Sequence, residues 1–204
     1  MVTLEELKIK CREFKESEGR ASFYNLAFEI KDKYPLQATI IILATWNAGR
    51  FRFFMSDSKN LCKLKNNLTT CEPLFRELKD KEFKTVNFDD LADKIKEIYS
   101  TLSEVKGVEY TGASKVFHLF CPNLIVMWDS YIRNEYMKKK YEIQYGIRIR
   151  NDPPTPEDFL NFQKLMQKIF GHIEWNEKEK PFTKAIDEYN YVVFTLPKLK
   201  NKKD

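Results

Sequence analysis

Apolar residues recur along most of this chain at the three- and four-residue spacing of a helix with one buried face. Leu4, Leu7, Cys11 and Phe14 predict a first helix over residues 3–17. A second is predicted from Ser22 to Lys33, stopped by Pro35 because a residue before proline avoids helical backbone. The stretch "LQATIIILAT" is apolar all round and predicts a buried helix, ending in the polar turn Trp46–Asn47. Two short helices are expected over Asp57–Lys65 and Thr70–Lys79. Asn87 is a candidate cap for a longer helix with Leu91, Ile95, Ile98 and Leu102 on its inner face, ended at Gly107. "ASKVFHLF" begins another, and Asp129 to Tyr141 a further one. In "NDPPTPEDF" a loop gives way to a helix capped by Thr155, with Pro156 in its first position and acids in its first turn. Phe159, Phe162, Leu165, Met166 and Ile169 form its inner face, and Gly171 its end. The last helix is expected from Pro181 to about Thr195, before a basic, frayed tail "PKLKNKKD". "EIQYGIRIR" is the best candidate for a short β-hairpin. The fold class is therefore mostly α.

Composition narrows the function classes. At 204 residues and 43% hydrophobic, the chain fits one domain or two small lobes sharing a cleft. The net charge of +5 permits nucleic-acid binding without requiring it. The cysteines Cys11, Cys62, Cys71 and Cys121 form no C-x-x-C pair, and there are only two histidines, His118 and His172. A zinc, iron–sulfur or other metal site is not expected, nor is a cofactor. "MVTLEELKIK" is charged and amphipathic rather than a signal peptide, and the longest apolar run is too short for a bilayer. A soluble, intracellular chain free of disulfides is the expectation.

The candidate chemistry gathers in "KGVEYTGASKVFHLFCPNLIVMWDSYIR", residues 106–133. "VKGVEYTGA" joins two helices through a glycine turn. It is either a plain αα-hairpin or a phosphate grip made by backbone N–H groups at a helix start. Asp129, directly after "LIVMW", is either a helix N-cap or a carboxylate held in a cleft for chemistry; one residue can be both. Lys115 lies one helical turn beyond Thr111 on the same face. Its amine can reach back toward that position or snorkel to solvent. Trp46, Asn47, Arg50 and Arg52 suit base stacking, base-edge bonding and phosphate contact, and equally suit a helix end. Trp128 and His118 read as core residues, and "MKKKY" at 137–141 as a solvated helix end.

The segment resembles the helix–hairpin–helix motif of the DNA glycosylase superfamily, whose signature runs L-P-G-V-G-x-x-T-A and leads to a catalytic aspartate. Gly107 and Val108 fall on its G-V pair, Ala113 on its alanine and Asp129 on the aspartate. Lys106 stands at the motif's proline, Gly112 at its threonine, and Glu109 replaces its second glycine. Thr111 occupies the position of the nucleophilic lysine found in bifunctional members. The resemblance implies a two-lobed helical fold spanning residues 1–204, with the hairpin at about 91–121. It implies Asp129 and Lys115 as catalytic candidates. It implies Gly107, Val108, Thr111, Gly112, Trp46, Asn47 and Arg50 as DNA contacts. The implied activity is monofunctional excision of a damaged or mismatched base from duplex DNA, by a cytoplasmic or nucleoid-associated monomer. The alternative is a non-catalytic DNA-binding or interaction protein on the same scaffold, favoured by a Glu109 carboxylate where a phosphate should bind.

Overall fold

The computed structural model describes residues 1–177 and 179–201, and no strand occurs among them. Helices α1 (Leu4–Ser17), α2 (Ala21–Ile30), α3 (Pro35–Trp46) and α4 (Ala48–Phe54) are followed by α5 (Ser58–Leu78), α6 (Ala92–Ser103) and α7 (Glu109–Phe120). Then come α8 (Ser130–Tyr136), α9 (Lys139–Tyr145), α10 (Pro156–Phe170), α11 (Phe182–Asn190) and α12 (Leu196–Lys200), with a π-helical stretch, Tyr191–Thr195, between the last two. No helix among the described residues is long and apolar enough to cross a membrane. The thiols of Cys11, Cys62, Cys71 and Cys121 are free.

Several elements differ from the sequence expectations. The two short helices between residues 57 and 79 are one, α5, which runs through Pro73. Its inner stripe of Leu64, Leu68, Cys71, Phe75 and Leu78 is buried without interruption, and that burial outweighs the hydrogen bond proline cannot make. Asn87 does not cap α6; its side chain accepts the Asp89 N–H and closes a preceding turn. The helix expected over Asp129–Tyr141 is divided into α8 and α9. The expected hairpin is absent: Lys139–Tyr145 is helical, and Gly146, at φ +67°, ends α9 in the left-handed conformation glycine favours. The final helix widens at Tyr191, where the Leu196 N–H bonds back to the Tyr191 carbonyl. Pro197 has no N–H to offer Val193, so the register shifts by one residue. Of the tail expected to fray, Pro197–Lys200 lies in α12, and residues 202–204 lie outside the described residues.

Helix α7 is the axis of the packing. Every residue from Gly112 to Leu119 is buried, with α3 against one side and α6 against another. Helix α10 packs on α6, and α1 on α11. Gly112 permits the α3–α7 contact, because a Cβ there would lie 2.9 Å from both Leu43 Cδ2 and Asn47 Nδ2.

Between α7 and α8 the chain passes through Ile125–Trp128 in neither helix nor strand, and all four residues are buried. Such a segment leaves its backbone N–H and C=O groups without a helical or ladder partner, which is costly in an apolar interior. Side chains take the place of a neighbouring strand. Gln163 of α10 accepts the Val126 N–H at 2.8 Å and donates to the Val126 carbonyl at 2.9 Å. Ser114 donates to the Trp128 carbonyl at 3.2 Å. His118 Nδ1 lies 2.6 Å from the Ile125 carbonyl, and Tyr24 Oη lies 2.8 Å from His118 Nε2. Burial pushes the imidazole down to about 3. It is therefore neutral at pH 7, with its proton on Nδ1 toward the carbonyl, and Tyr24 donates to Nε2.

Two outcomes follow from this arrangement. Replacing Gln163 with Leu leaves two buried backbone groups unpaired and should cost roughly 2–5 kcal/mol in urea denaturation. His118 binds its proton more weakly when folded than when unfolded. Its contribution is thus fully present above the unfolded pKa and is lost as pH falls toward 3, at about 1.4 kcal/mol per unit. Unfolding free energies measured between pH 6.5 and 5, above the main carboxylate range, should fall in the wild type and stay flatter in His118→Gln.

Candidate functional site

One cavity of about 500 Å³ opens where the C-terminus of α3, the N-termini of α7 and α8, and the π-helical stretch converge. Asp129 enters it as the N-cap of α8, in extended conformation, with Oδ1 accepting the N–H groups of Tyr131 at 2.8 Å and Ile132 at 2.9 Å. Its second oxygen accepts the Thr195 hydroxyl at 2.7 Å. The capping and cleft-facing roles are thus held by one side chain, and the register shift of the π segment lies where Thr195 meets it. π-helical insertions of this kind often accompany functional sites.

Lys115 does not snorkel. It is 7% exposed, and its amine donates to the carbonyl of Trp46 at the end of α3. Burial holds its pKa below the usual lysine value. The negative charges of Asp129 and Asp187 oppose that shift, while Arg20 and Lys184 reinforce it. Lys115, Asp129, Asp187 and Thr111 all face the same cavity. Behind them Lys184 is 3% exposed, with its ammonium 2.8 Å from Asp187 and 4.2 Å from the centre of the Trp46 ring. The rings of Phe14 and Tyr24 complete its cage, at 4.7 and 5.2 Å. Cation–π attraction and the Asp187 carboxylate offset part of what so enclosed an ammonium loses in hydration.

The glycine turn keeps left-handed backbone at two places: Gly107 at φ +84° and Glu109 at φ +49°. Gly107 is indispensable there, because a Cβ would lie 2.3 Å from the backbone nitrogen of Phe54. Its carbonyl and that of Val108 accept the Asn47 side-chain amide at 2.9 and 3.2 Å. Glu109, standing where the resembling motif has glycine, pays the cost of a side chain in this region, about 1–2 kcal/mol. Its carboxylate pairs with Arg50 at 2.7 Å across the cavity rim.

Of the residues singled out in the sequence, Asp129, Lys115, Thr111, Trp46, Asn47, Val108 and Arg50 line this one cavity. Several of them also make packing and bracing contacts. Gly107 and Gly112 serve close packing, and Val108 is fully buried. Asn47 braces the turn, and the Trp46 ring is engaged by Phe14 and Lys184. Arg52 lies over the ring of Phe53, away from the cavity. Lys138 and Lys140 are paired with Glu135. Trp128 is core, 1% exposed, and donates its indole N–H to the Tyr110 carbonyl. Sequence reasoning missed Lys184, Asp187 and Thr195, which lie on the last helices; no local motif marks them.

At position 109, glycine should be more stable than alanine by about 1 kcal/mol, since both remove the rim ion pair but only alanine retains the backbone strain. Thermal or urea unfolding of Glu109→Gly and Glu109→Ala tests this directly. Comparison of the chain with family models, with curated proteins and with solved structures found no match.

Proposed function

We propose that this protein binds duplex DNA and removes a base by cleaving its N-glycosidic bond in the cavity described above. The carrying observation is a buried Lys115, held by burial below the usual lysine pKa, and the helix-capping Asp129 on one cavity. In such a reaction the bonding electrons leave with the base and positive charge grows on the sugar. A fixed carboxylate, Asp129, offsets that charge without having to reorganise. The target base has to leave the stack to reach such a site. The likeness of residues 106–133 to the helix–hairpin–helix glycosylase motif, and a two-lobed arrangement with the cleft between lobes, belong to the same reading.

The burial of Lys115 moves the reading from water to an amine as the attacking group. A neutral amine carries the lone pair that forms a bond to the sugar C1′. It then loses a proton, and the sugar ring opens to an imine. The cationic form cannot do this, and desolvation favours the neutral form. A second reading, DNA binding without catalysis on the same scaffold, is favoured by the Arg50–Glu109 pair, which sets a carboxylate at the turn expected to hold a phosphate.

Duplexes carrying oxidised, deaminated, alkylated or abasic sites, treated with borohydride, should give a covalent protein–DNA adduct. Lys115→Met should abolish the adduct, and Asp129→Asn should slow its formation ten-fold or more. Base release without an adduct would return the attack to water. Salt-sensitive binding with neither base release nor adduct would support the non-catalytic reading; in that case Glu109→Gly should still tighten binding by removing a repulsion.

A further inference from the structure

At the other end of α3 from Trp46, about 18 Å along the helix axis, a second cavity of about 710 Å³ lies between the α2–α3 junction and α5. Five cationic side chains line it, Lys31, Lys33, Lys65, Arg76 and Lys79, against two carboxylates, Asp32 and Glu72. Both carboxylates are already engaged: Asp32 with Lys31 at 3.1 Å, and Glu72 with Arg76. Lys65 and Lys79 have no ion pair among the described residues, and Lys33 lies only over the ring of Tyr34. Three uncompensated ammonium groups thus share one concave surface, an arrangement that like-charge repulsion disfavours unless an anion occupies it.

The rest of the lining is largely apolar and aromatic, with Gln37 and Thr69 among it. Phe75 and Phe120 stack with ring centres 4.7 Å apart and planes at 21°, flanked by Leu36 and Leu68. Thr69 lines the same cavity. Pro73, four residues further along α5, has no N–H, so the Thr69 carbonyl lacks its usual helical donor. The Thr69 hydroxyl donates back to Lys65 and does not replace that donor.

We infer that this groove binds a nucleoside phosphate, with the phosphates among Lys33, Lys65 and Lys79 and the base against the aromatic side of the groove, where Tyr34 is 45% exposed. Cations and aromatic surface answer the two parts of the ligand separately. The ligand is either a free nucleotide or a nucleotide unit of a nucleic-acid strand. The inference is independent of any chemistry at the Asp129 cavity.

Isothermal titration of the full chain with ATP, AMP, inorganic pyrophosphate and a short purine oligonucleotide tests it. ATP should bind at least ten-fold more tightly than pyrophosphate, and the exposed double variant Lys65→Ala/Lys79→Ala should weaken ATP at least ten-fold while keeping the wild-type melting temperature. Tighter binding of the oligonucleotide than of ATP, lost in the same variant, would assign the nucleotide to a strand and still support the groove. Pyrophosphate binding as tightly as ATP would overturn the base-binding half. No binding by ATP or the oligonucleotide, or binding unchanged in the double variant, would overturn the site.

Discussion

The backbone of Ile125–Trp128 must be satisfied without a neighbouring strand, and the centre of the molecule is arranged around that requirement. An apolar run can be buried as helix because a helix satisfies itself; buried outside helix or sheet, it must borrow partners. Ser114 and His118 on one face of α7 and Gln163 on α10 supply them. Each of these polar side chains would be expensive in the core alone. Together with the segment they complete each other, and they fix α7, α10 and the chain between them in one register.

That register delivers Asp129 to its position. The segment ends at the aspartate, whose carboxylate starts α8 and meets Thr195 from the far end of the chain. Lys115 lies between Ser114 and His118 in sequence, turned toward the end of α3 rather than toward the segment. The same helix thus secures the segment with one set of side chains and presents an amine to the cavity with another. The cavity walls stand directly on the core, through Val108, Trp128 and Ile132.

The cavity also concentrates cost. A buried amine, an enclosed ion pair and a non-glycine residue in left-handed backbone are each unfavourable in isolation. They occur within one region, around the starts of α7 and α8 and the end of α3. Strain and buried charge gathered in this way are stored where a surrounding structure over-determines them. Glu109 shows the principle most directly, since its backbone keeps a conformation suited to glycine while its carboxylate is held by Arg50.

The mostly helical class, the ends of α1 and α10, the glycine turn before α7 and the cap at Asp129 were all legible in the sequence, because each depends on residues a few positions apart. Capping, proline placement and apolar periodicity act over one or two turns. The long α5 was not legible, since the expected break fell at residues 66–69, around Asn66 and Asn67, and only burial of Leu64, Leu68 and Cys71 along one face carries the helix through. Nor was the helical character of residues 142–145, where alternating residue types favoured strands that find no partner. The state of Lys115 depended wholly on tertiary structure: its spacing from Thr111 put it on the right face, but only the packing of α3 against α7 removed it from water. Lys184, Asp187 and Thr195 join the site from residues distant in the chain, and such convergence leaves no trace in local pattern. Sequence determined the elements and the chemistry available at their ends; packing decided which of those groups are buried together and so which can act on one another.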